Sequence, residues 1–226
     1  MDDLTLIIPA KKEKESLPTV LNELKNYTKK ISIILEENDT ETINSISDFD
    51  CHIIYQKNKG YGDALIQGIY SVKTKYFCIF NADGSFNPEE LRNMYDKVDK
   101  DNFDLIFGSR YESSGGSEDD TLITQFGNYI FTNIGKYFFN LNITDILYTY
   151  VLGDTKKTIE INLERKDFSF CVELPIKAKM NKLKIGSISS IERKRIAGLK
   201  KVNAFKDGFL ILNYMIKLFF SKKVNP

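Results

Sequence analysis

The chain has 226 residues, of which 42% are hydrophobic and 28% are charged, and its net charge is +1. That length allows a sizeable core, and 13 glycines and three cysteines exclude a collagen-like chain and a disulfide-stapled scaffold. The single histidine, His52, argues against a His-based metal site and against a Ser-His-Asp triad.

Short apolar runs alternate with segments of helical periodicity in the first half of the chain. Strands are predicted at 4–9, 31–35, 51–55, 76–80 and 104–108, and helices at 16–30, 63–72 and 88–98. This alternation predicts an α/β fold with a mainly parallel central sheet flanked by helices. Ligands bind beyond the carboxyl ends of such strands, so the loops at 11–15, 36–39, 81–85 and 108–111 should converge on one site.

The second half is less regular. A Gly/Ser-rich segment at 113–120 predicts a mobile loop, and an aromatic-rich helix is predicted at 126–141. Further elements are predicted at 158–163 and 167–178, a strand at 183–191 and a last helix at 206–220. The amino-terminal residues lack a basic signal region, and no apolar run reaches the roughly 20 residues of a bilayer span. We therefore expect a cytoplasmic protein with reduced core cysteines.

Charge is unevenly distributed along the chain. Ten basic residues and one acidic residue between Lys177 and Lys206 give that stretch +9, which leaves −8 for the rest of the chain. Such a local field favours anions such as phosphates or an acidic membrane surface. We interpret 177–184 as a solvated lysine-rich face and 193–201 as part of a site.

Two segments carry candidate chemistry at strand ends. Asp83 follows an apolar strand, where a carboxylate can hold Mg²⁺ or Mn²⁺ with help from Asn81, Ser85 and diphosphate oxygens. An Asp after a strand is also a common cap or turn residue. The Gly-rich segment 58–64 can direct backbone N–H groups towards a phosphate, although by itself it indicates only a turn.

Seven motifs follow one another along the chain: IIPAKKE at 7–13, EENDTE at 36–41, NKGYGDA at 58–64, NAD at 81–83, GSRY at 108–111, TD at 144–145 and RIAGLKK at 195–201. Their order resembles glycosyltransferase family 2, and among its members the polyprenyl- or dolichyl-phosphate sugar transferases. The resemblance covers residues 4–209, and it implies the type A glycosyltransferase fold.

The resemblance implies a metal-dependent, inverting hexosyltransferase of cell-envelope polysaccharide synthesis. It would move a sugar from a nucleotide-diphosphate sugar to a polyprenyl phosphate, with Mg²⁺ or Mn²⁺ as cofactor. We expect one domain over 1–226, with a nucleotide-sugar-binding half at 1–112, an acceptor-binding half at 113–204 and an apolar helix at 205–226.

The same resemblance assigns roles to individual residues. The nucleotide-sugar-binding residues would be Pro9, Ala10, Glu13, Glu37, Lys59, Gly60, Asp63, Asn81, Ala82 and Asp83. The metal ligands would be Asp83, Asn81 and Ser85; the catalytic residues Asp83, Asp145 and Arg110; and the acceptor-phosphate ligands Arg110, Arg195 and Lys201. Asp63 fits a helix N-cap equally well, and Asp145 fits a loop-ordering carboxylate.

Several positions depart from the family pattern. Lys11 and Lys12 replace an aromatic residue and Asn, two Glu replace two Asp at 36–37, Asn81 replaces the first metal-motif Asp, and Tyr150 stands where relatives often carry Arg. The nucleotide base and the sugar therefore stay open.

Two other functions also stay open: transfer to a saccharide hydroxyl with Asp145 as base, and a catalytically impaired nucleotide-sugar-binding protein. A nucleic-acid partner is not expected, because the chain outside residues 177–206 carries −8 and would repel a phosphate backbone.

Two apolar segments bear on membrane contact. The segment at 126–141 is interpreted as core, whereas 205–220 has a wide apolar face followed by Lys222 and Lys223, which is typical of an interfacial helix. We expect either peripheral contact with the inner face of the cell membrane through 205–226 or packing of this segment on the core.

Overall fold

A computed structural model describes residues 1–198 and 203–224, with side chains as far as Ser221. The strands are β1 (Leu4–Pro9), β2 (Ile31–Leu35), β3 (His52–Tyr55), β4 (Tyr76–Ile79), β5 (Leu105–Ser109), β6 (Gly116–Ser117), β7 (Val151–Asp154), β8 (Ile185–Ser189) and β9 (Ile191–Glu192). The helices are α1 (Leu17–Leu24), α2 (Thr40–Ser45), α3 (Tyr61–Ser71), α4 (Leu91–Asp99), α5 (Leu122–Phe139), α6 (Thr155–Glu160), α7 (Phe170–Met180) and α8 (Ala204–Val224), and a 3₁₀ turn (Pro88–Glu90) precedes α4.

The main sheet has seven strands in the order β3-β2-β1-β4-β7-β5-β8. All neighbours are parallel except β7, which runs antiparallel to both β4 and β5. The predicted mainly parallel α/β sheet is therefore confirmed. The sheet contains strands from both the expected nucleotide-sugar-binding half at 1–112 and the expected acceptor-binding half at 113–204.

The core lies on both faces of this sheet. Along β1, Leu6 and Ile8 point to one face and Ile7 to the other, as the two-residue period of a strand requires. One face is covered by α1 and α4, and the other by α3, α5, α7 and α8. Because both faces are covered, the central strands read as continuous apolar runs rather than alternating ones.

Some predicted boundaries were wrong. The helix predicted at 16–30 ends at Leu24, and the strand predicted at 183–191 is interrupted at Ser190. β7 was not predicted, because its four residues include Gly153 and lie directly before α6. The segment predicted to be a mobile loop at 113–120 contains β6, which pairs in parallel with β9.

The interpretation of 126–141 as core was also wrong for one face of α5. Phe126 and Tyr129 are 66% and 68% exposed, whereas Gly135 and Phe139 are buried. Within the described parts of the chain, no helix combines the length and the hydrophobicity that crossing a membrane requires.

Candidate active site

The loops that follow β1, β2, β4 and β5 lie at one edge of the sheet, because these strands all run in the same direction. Side chains and backbone tie neighbouring loops together. Lys11 Nζ donates to Glu36 Oε1 at 2.8 Å, and the Lys12 amide donates to Asp39 Oδ2 at 2.6 Å. The structure therefore places the four predicted loops at one edge of the sheet, and these contacts join the loops after β1 and β2.

A cavity of about 640 Å³ opens between the loops that follow β1 and β2. Glu13 lines it and is held on two sides: its amide donates to Thr42 Oγ1 at 3.0 Å, and Ser16 Oγ donates to its Oε2 at 2.8 Å. Pro9 and Ala10 lie beneath this loop, where the Ala10 amide continues the strand pairing with Ile34 O at 2.8 Å. The lining residues are Lys11 to Ser16, Glu36, Asn38 to Glu41, Ala197 and Gly198.

Glu36 rather than Glu37 reaches this cavity. Glu37 lines a second cavity of about 560 Å³, which lies between the loop after β2 and residues 56–59 and which Lys59 also lines. The hydrogen bond from Lys11 lowers the pKa of Glu36, so this carboxylate stays ionised. The local pattern does not distinguish these adjacent acids, since which of them reaches the cavity depends on which way the loop turns after β2.

The Gly-rich segment before α3 is a packed turn. Gly60 has a φ of 125°, and a Cβ at Gly60 or Gly62 would collide with the carbonyl oxygens of Lys166 or Arg165. Asp63 is not the N-cap of α3, which is Gly60; it is buried and accepts the Asn58 amide at 3.3 Å. These glycines therefore have a packing role in this structure, and Asp63 holds the loop in front of α3.

The predicted metal motif lies at the end of β4. Asp83 Oδ1 accepts the Ser85 amide at 3.0 Å, and Oδ2 lies 3.7 Å from Arg195 Nη1. Asn81 Nδ2 donates to the buried Ser85 Oγ at 3.4 Å, and Tyr61 OH donates to Asn81 Oδ1 at 3.5 Å. The structure thus groups Asn81, Asp83 and Ser85, with the buried Ala82 between the first two.

This donor set fits a hard cation in one respect. It offers carboxylate, amide and hydroxyl oxygens, which Mg²⁺ and Mn²⁺ prefer, but only Asp83 contributes a carboxylate. No group of three His, Cys, Asp or Glu side chains suited to a metal occurs among residues 1–198 and 203–224. With one carboxylate in this group, the protein itself would supply only part of the coordination shell of such a cation.

The segment 193–198 crosses directly over this motif. Its backbone donates from Arg193 to Ser85 O and from Ile196 to Asp83 O, both at 2.8 Å. Gly84, with a φ of 82°, allows this approach, because a Cβ there would lie 2.6 Å from Ile196 Cδ1. The segment therefore forms a strap over the end of β4.

Three cations of the basic stretch form ion pairs in the described part of the chain. Arg195 donates to Asp119 at 2.6 Å, Arg193 to Glu23 at 2.8 Å, and Lys177 pairs with the buried Glu173 at 2.8 Å. The interpretation of 177–184 as a solvated face was therefore wrong for Lys177. Lys201 lies outside the described residues.

Arg110 lies in a buried cluster of three carboxylates. Its Nε and Nη2 donate to Asp145 Oδ2 and Oδ1 at 2.7 and 3.0 Å, and its Nη1 lies 3.1 Å from Glu192 and 3.7 Å from Asp120. The Arg110 side chain is 10% exposed and that of Asp145 is 0% exposed. Burial alone would lower the pKa of Arg110, but the carboxylates of Asp145 and Glu192 more than offset it and hold the pKa well above its usual value.

The geometry of Asp145 matches a loop-ordering carboxylate. Both of its oxygens accept from Arg110, and Oδ2 also accepts the Arg110 amide at 3.2 Å. Tyr150, at the position where relatives often carry Arg, is buried. Its ring stacks on Phe86 at 4.6 Å, and its hydroxyl donates to Asn87 O at 2.8 Å.

Two proteins of known name are similar to this chain in sequence. The chain is 27% identical over 216 residues to the UDP-N-acetylglucosamine–dolichyl-phosphate N-acetylglucosaminyltransferase of Methanococcus voltae, covering 81% of this chain and 82% of that protein. It is 28% identical over 122 residues to the polyprenol monophosphomannose synthase of Mycolicibacterium smegmatis, covering 49% of this chain and 46% of that protein.

A solved structure shares the fold. Glucosyl-3-phosphoglycerate synthase from Mycobacterium tuberculosis, in complex with Mn²⁺, UDP and glucosyl-3-phosphoglycerate, superposes with a TM-score of 0.73 at 10% identity, covering 99% of this chain and 80% of that one. At that identity the likeness bears on the fold alone. The family model described as Glycosyl transferase family 2 matches residues 5–161, more than half of the chain. The chain therefore belongs to glycosyl transferase family 2 and is a glycosyltransferase that uses a nucleotide sugar.

Proposed function

We propose that this glycosyltransferase moves a sugar from a nucleotide-diphosphate sugar to a polyprenyl phosphate, with inversion at the transferred carbon. The observation that carries the proposal is the juxtaposition of Asp83 and Arg195, whose charged groups lie 3.7 Å apart at the end of β4. A carboxylate there suits a cation bound to a diphosphate, and a guanidinium suits a second phosphate. The names of the two relatives from M. voltae and M. smegmatis support a lipid-phosphate acceptor.

The donor nucleoside would occupy the cavity between the loops after β1 and β2. Glu13 and Glu36 present carboxylates there, which accept hydrogen bonds from a base N–H or a ribose hydroxyl. Lys11 holds Glu36 in place at 2.8 Å, so the departures from the family pattern at these two positions form one unit. We infer that this pair influences which nucleotide base is accepted.

Asp83 would hold Mg²⁺ or Mn²⁺, with Asn81 and Ser85 supporting the loop. When bound, the cation would neutralise charge on the leaving diphosphate. Because Asn81 is uncharged, the protein contributes less negative charge here than two carboxylates would. Donor phosphates would supply the other ligands of the cation. The Mn²⁺ and UDP bound to the M. tuberculosis synthase of the same fold support this assignment.

The transfer requires no strong general base. An acceptor phosphate is already anionic at neutral pH, so one of its oxygens can attack the sugar carbon as the bond from that carbon to the diphosphate oxygen breaks. The electron pair of that bond leaves with the nucleotide diphosphate, and attack from the opposite face inverts the carbon. Arg195 would hold the acceptor phosphate by exchanging its contacts with Asp119 and Asp83, whereas Arg110 would keep the loops around it in register.

Transfer to a saccharide hydroxyl would need a base to take the hydroxyl proton. Asp145 is the candidate for this role, but its oxygens already accept three hydrogen bonds from Arg110. The geometry therefore favours the phosphate acceptor. With a lipid-phosphate acceptor, the enzyme would work at the inner face of the membrane.

The test is a transfer assay with a panel of radiolabelled UDP-, GDP- and dTDP-sugars and with Mn²⁺ or Mg²⁺. Label extracted with polyprenyl phosphate into the organic phase, and lost when EDTA is added or Asp83 is replaced by Ala, is the expected result. Label found only in water-soluble acceptors would overturn the lipid-phosphate assignment. Calorimetric binding of a donor without any turnover would instead identify a catalytically impaired protein.

A further inference from the structure

The outer faces of α5 and α8 carry an unusual density of exposed apolar side chains. The members of this apolar face are Leu122, Ile123, Phe126, Tyr129, Ile130 and Tyr137 on α5, and Phe205, Phe209, Leu212, Ile216 and Phe220 on α8. Contiguous apolar surface of this kind on a globular protein marks an interaction site.

The two sets belong to one surface. Phe131 lies against Gly208 and the ring of Phe138 lies 5.5 Å from that of Phe219, so the helices run side by side in the same direction. On α8 the exposed apolar residues recur every three or four positions, opposite the buried stripe that includes Tyr214 and Leu218. α8 therefore has one face for the core and another that nothing in the described structure covers.

The charge around this face is positive. Among the described side chains, α5 and α8 carry three lysines and a single acid, Asp207, in a chain whose net charge is +1. Lys136 and Lys206 are exposed, and Lys217 is exposed beside Glu164 at 3.4 Å. Apolar residues edged by lysines are the pattern of a helix that lies in the interface of an anionic bilayer.

The apolar face also begins at the active site. α5 starts directly after Asp119 and Asp120, which contact Arg195 and Arg110. α8 starts shortly after the strap at 193–198 that crosses Asp83. Both helix N-termini therefore lie at the end of the face nearest the proposed phosphate-binding groups.

We propose that the α5–α8 face docks on an anionic lipid bilayer and so brings the site to the lipid-borne phosphate. This rests on the proposed function, which supplies the reason for a membrane acceptor, and it extends the expected contact through 205–226 to α5. The bilayer is preferred to a second copy of the chain because two copies would bring two faces of the same positive charge together.

The experiment is flotation of the full chain with vesicles of phosphatidylcholine alone or of phosphatidylcholine with about 30% phosphatidylglycerol. The second composition gives the vesicles a negative surface. Wild-type protein should float with the anionic vesicles and less with the neutral ones. The double variant Phe126→Ser/Phe209→Ser should partition at least about tenfold less, because it removes two exposed rings. The matched control Tyr55→Ser/Tyr70→Ser removes two exposed rings elsewhere and should float like wild type.

Sugar transfer to a short-chain prenyl phosphate in vesicle-free solution separates this inference from the proposed function. The Phe126→Ser/Phe209→Ser variant should retain this activity while losing transfer to polyprenyl phosphate in vesicles.

Wild-type protein that does not float, or a variant that floats equally well, overturns the docking proposal even if soluble transfer persists. A wild-type dimer in analytical ultracentrifugation that the variant abolishes, without flotation, would assign the face to a second copy. Flotation that depends on both rings, without transfer to any prenyl phosphate, would leave the docking proposal standing and overturn the proposed function.

Discussion

Replacing Asp145 with Asn tests the buried cluster around Arg110. Asp145 accepts three hydrogen bonds from Arg110, at 2.7, 3.0 and 3.2 Å, and its side chain is fully buried. In the variant an amide N–H₂ faces the guanidinium in place of an oxygen, and the buried negative charge is lost. Removing one partner of a buried ion pair costs about 3–5 kcal/mol.

Thermal unfolding gives the measurement. For a chain of this size each 1 kcal/mol lowers the melting temperature by about 2–4 °C, so Asp145→Asn should melt about 6–20 °C below wild type. The control is Asp101→Asn, which removes an exposed carboxylate paired with Lys97 at 2.9 Å and should cost less than about 1 kcal/mol.

Two outcomes would refute the reasoning. An Asp145→Asn variant that melts within about 2 °C of wild type would show that the pair contributes little to stability. A variant that keeps its melting temperature but loses kcat, and recovers rate as the pH is raised, would identify Asp145 as a general base. Arg110→Lys adds a further check, since lysine keeps the charge but cannot form the bidentate contact, and it should be destabilised less than Asp145→Asn.

Three further predictions concern the donor site and the turn before α3. Asp83→Asn should lower kcat/KM by about a hundredfold or more and weaken the response to added Mn²⁺ with little change in melting temperature; unchanged metal response in the transfer assay would contradict its assignment. Glu36→Gln should raise the KM for the donor about tenfold and leave stability within about 1 kcal/mol, because its salt bridge is exposed; steady-state kinetics with an unaltered KM would remove Glu36 from the nucleoside site. Gly62→Ala should cost more than about 3 kcal/mol in urea unfolding, because its Cβ would collide with the Arg165 carbonyl oxygen, whereas Gly127→Ala, which meets nothing within 4 Å, should be neutral or stabilising by up to about 1 kcal/mol.

Much of the site was predictable from local pattern. The alternation of apolar runs with helical segments fixes the direction of β1, β2 and β4, and parallel strands place the ends that follow them at one edge. For that reason the local pattern alone places Glu13 and Asp83 at one edge of the sheet. The direction in which a loop turns after its strand is not encoded in this way, so only the structure shows that Glu36 lines both cavities and Glu37 one of them.

Long-range pairing could not be predicted. The segment 193–201 was interpreted as part of a site, and in the structure Arg195 donates to Asp119 and lies beside Asp83, which are 76 and 112 positions away in the chain. The acids that neutralise these cations belong to the segments that sum to −8. The spacing of charges along the chain therefore reveals where fields can arise, but contacts between distant elements decide which cations keep a carboxylate partner.

The sequence by itself determined the family, the sheet and the edge at which the chemistry lies, because motif order and hydrophobic periodicity are local properties. Only the tertiary structure decided that Arg110 is enclosed by carboxylates, that the strap at 193–198 crosses Asp83, and that the apolar surface of α5 faces outward. α5 is apolar on nearly every side, so its periodicity cannot say which side the core will cover. That choice is made by α7 and α8, which cover part of α5 and leave Phe126 and its neighbours exposed.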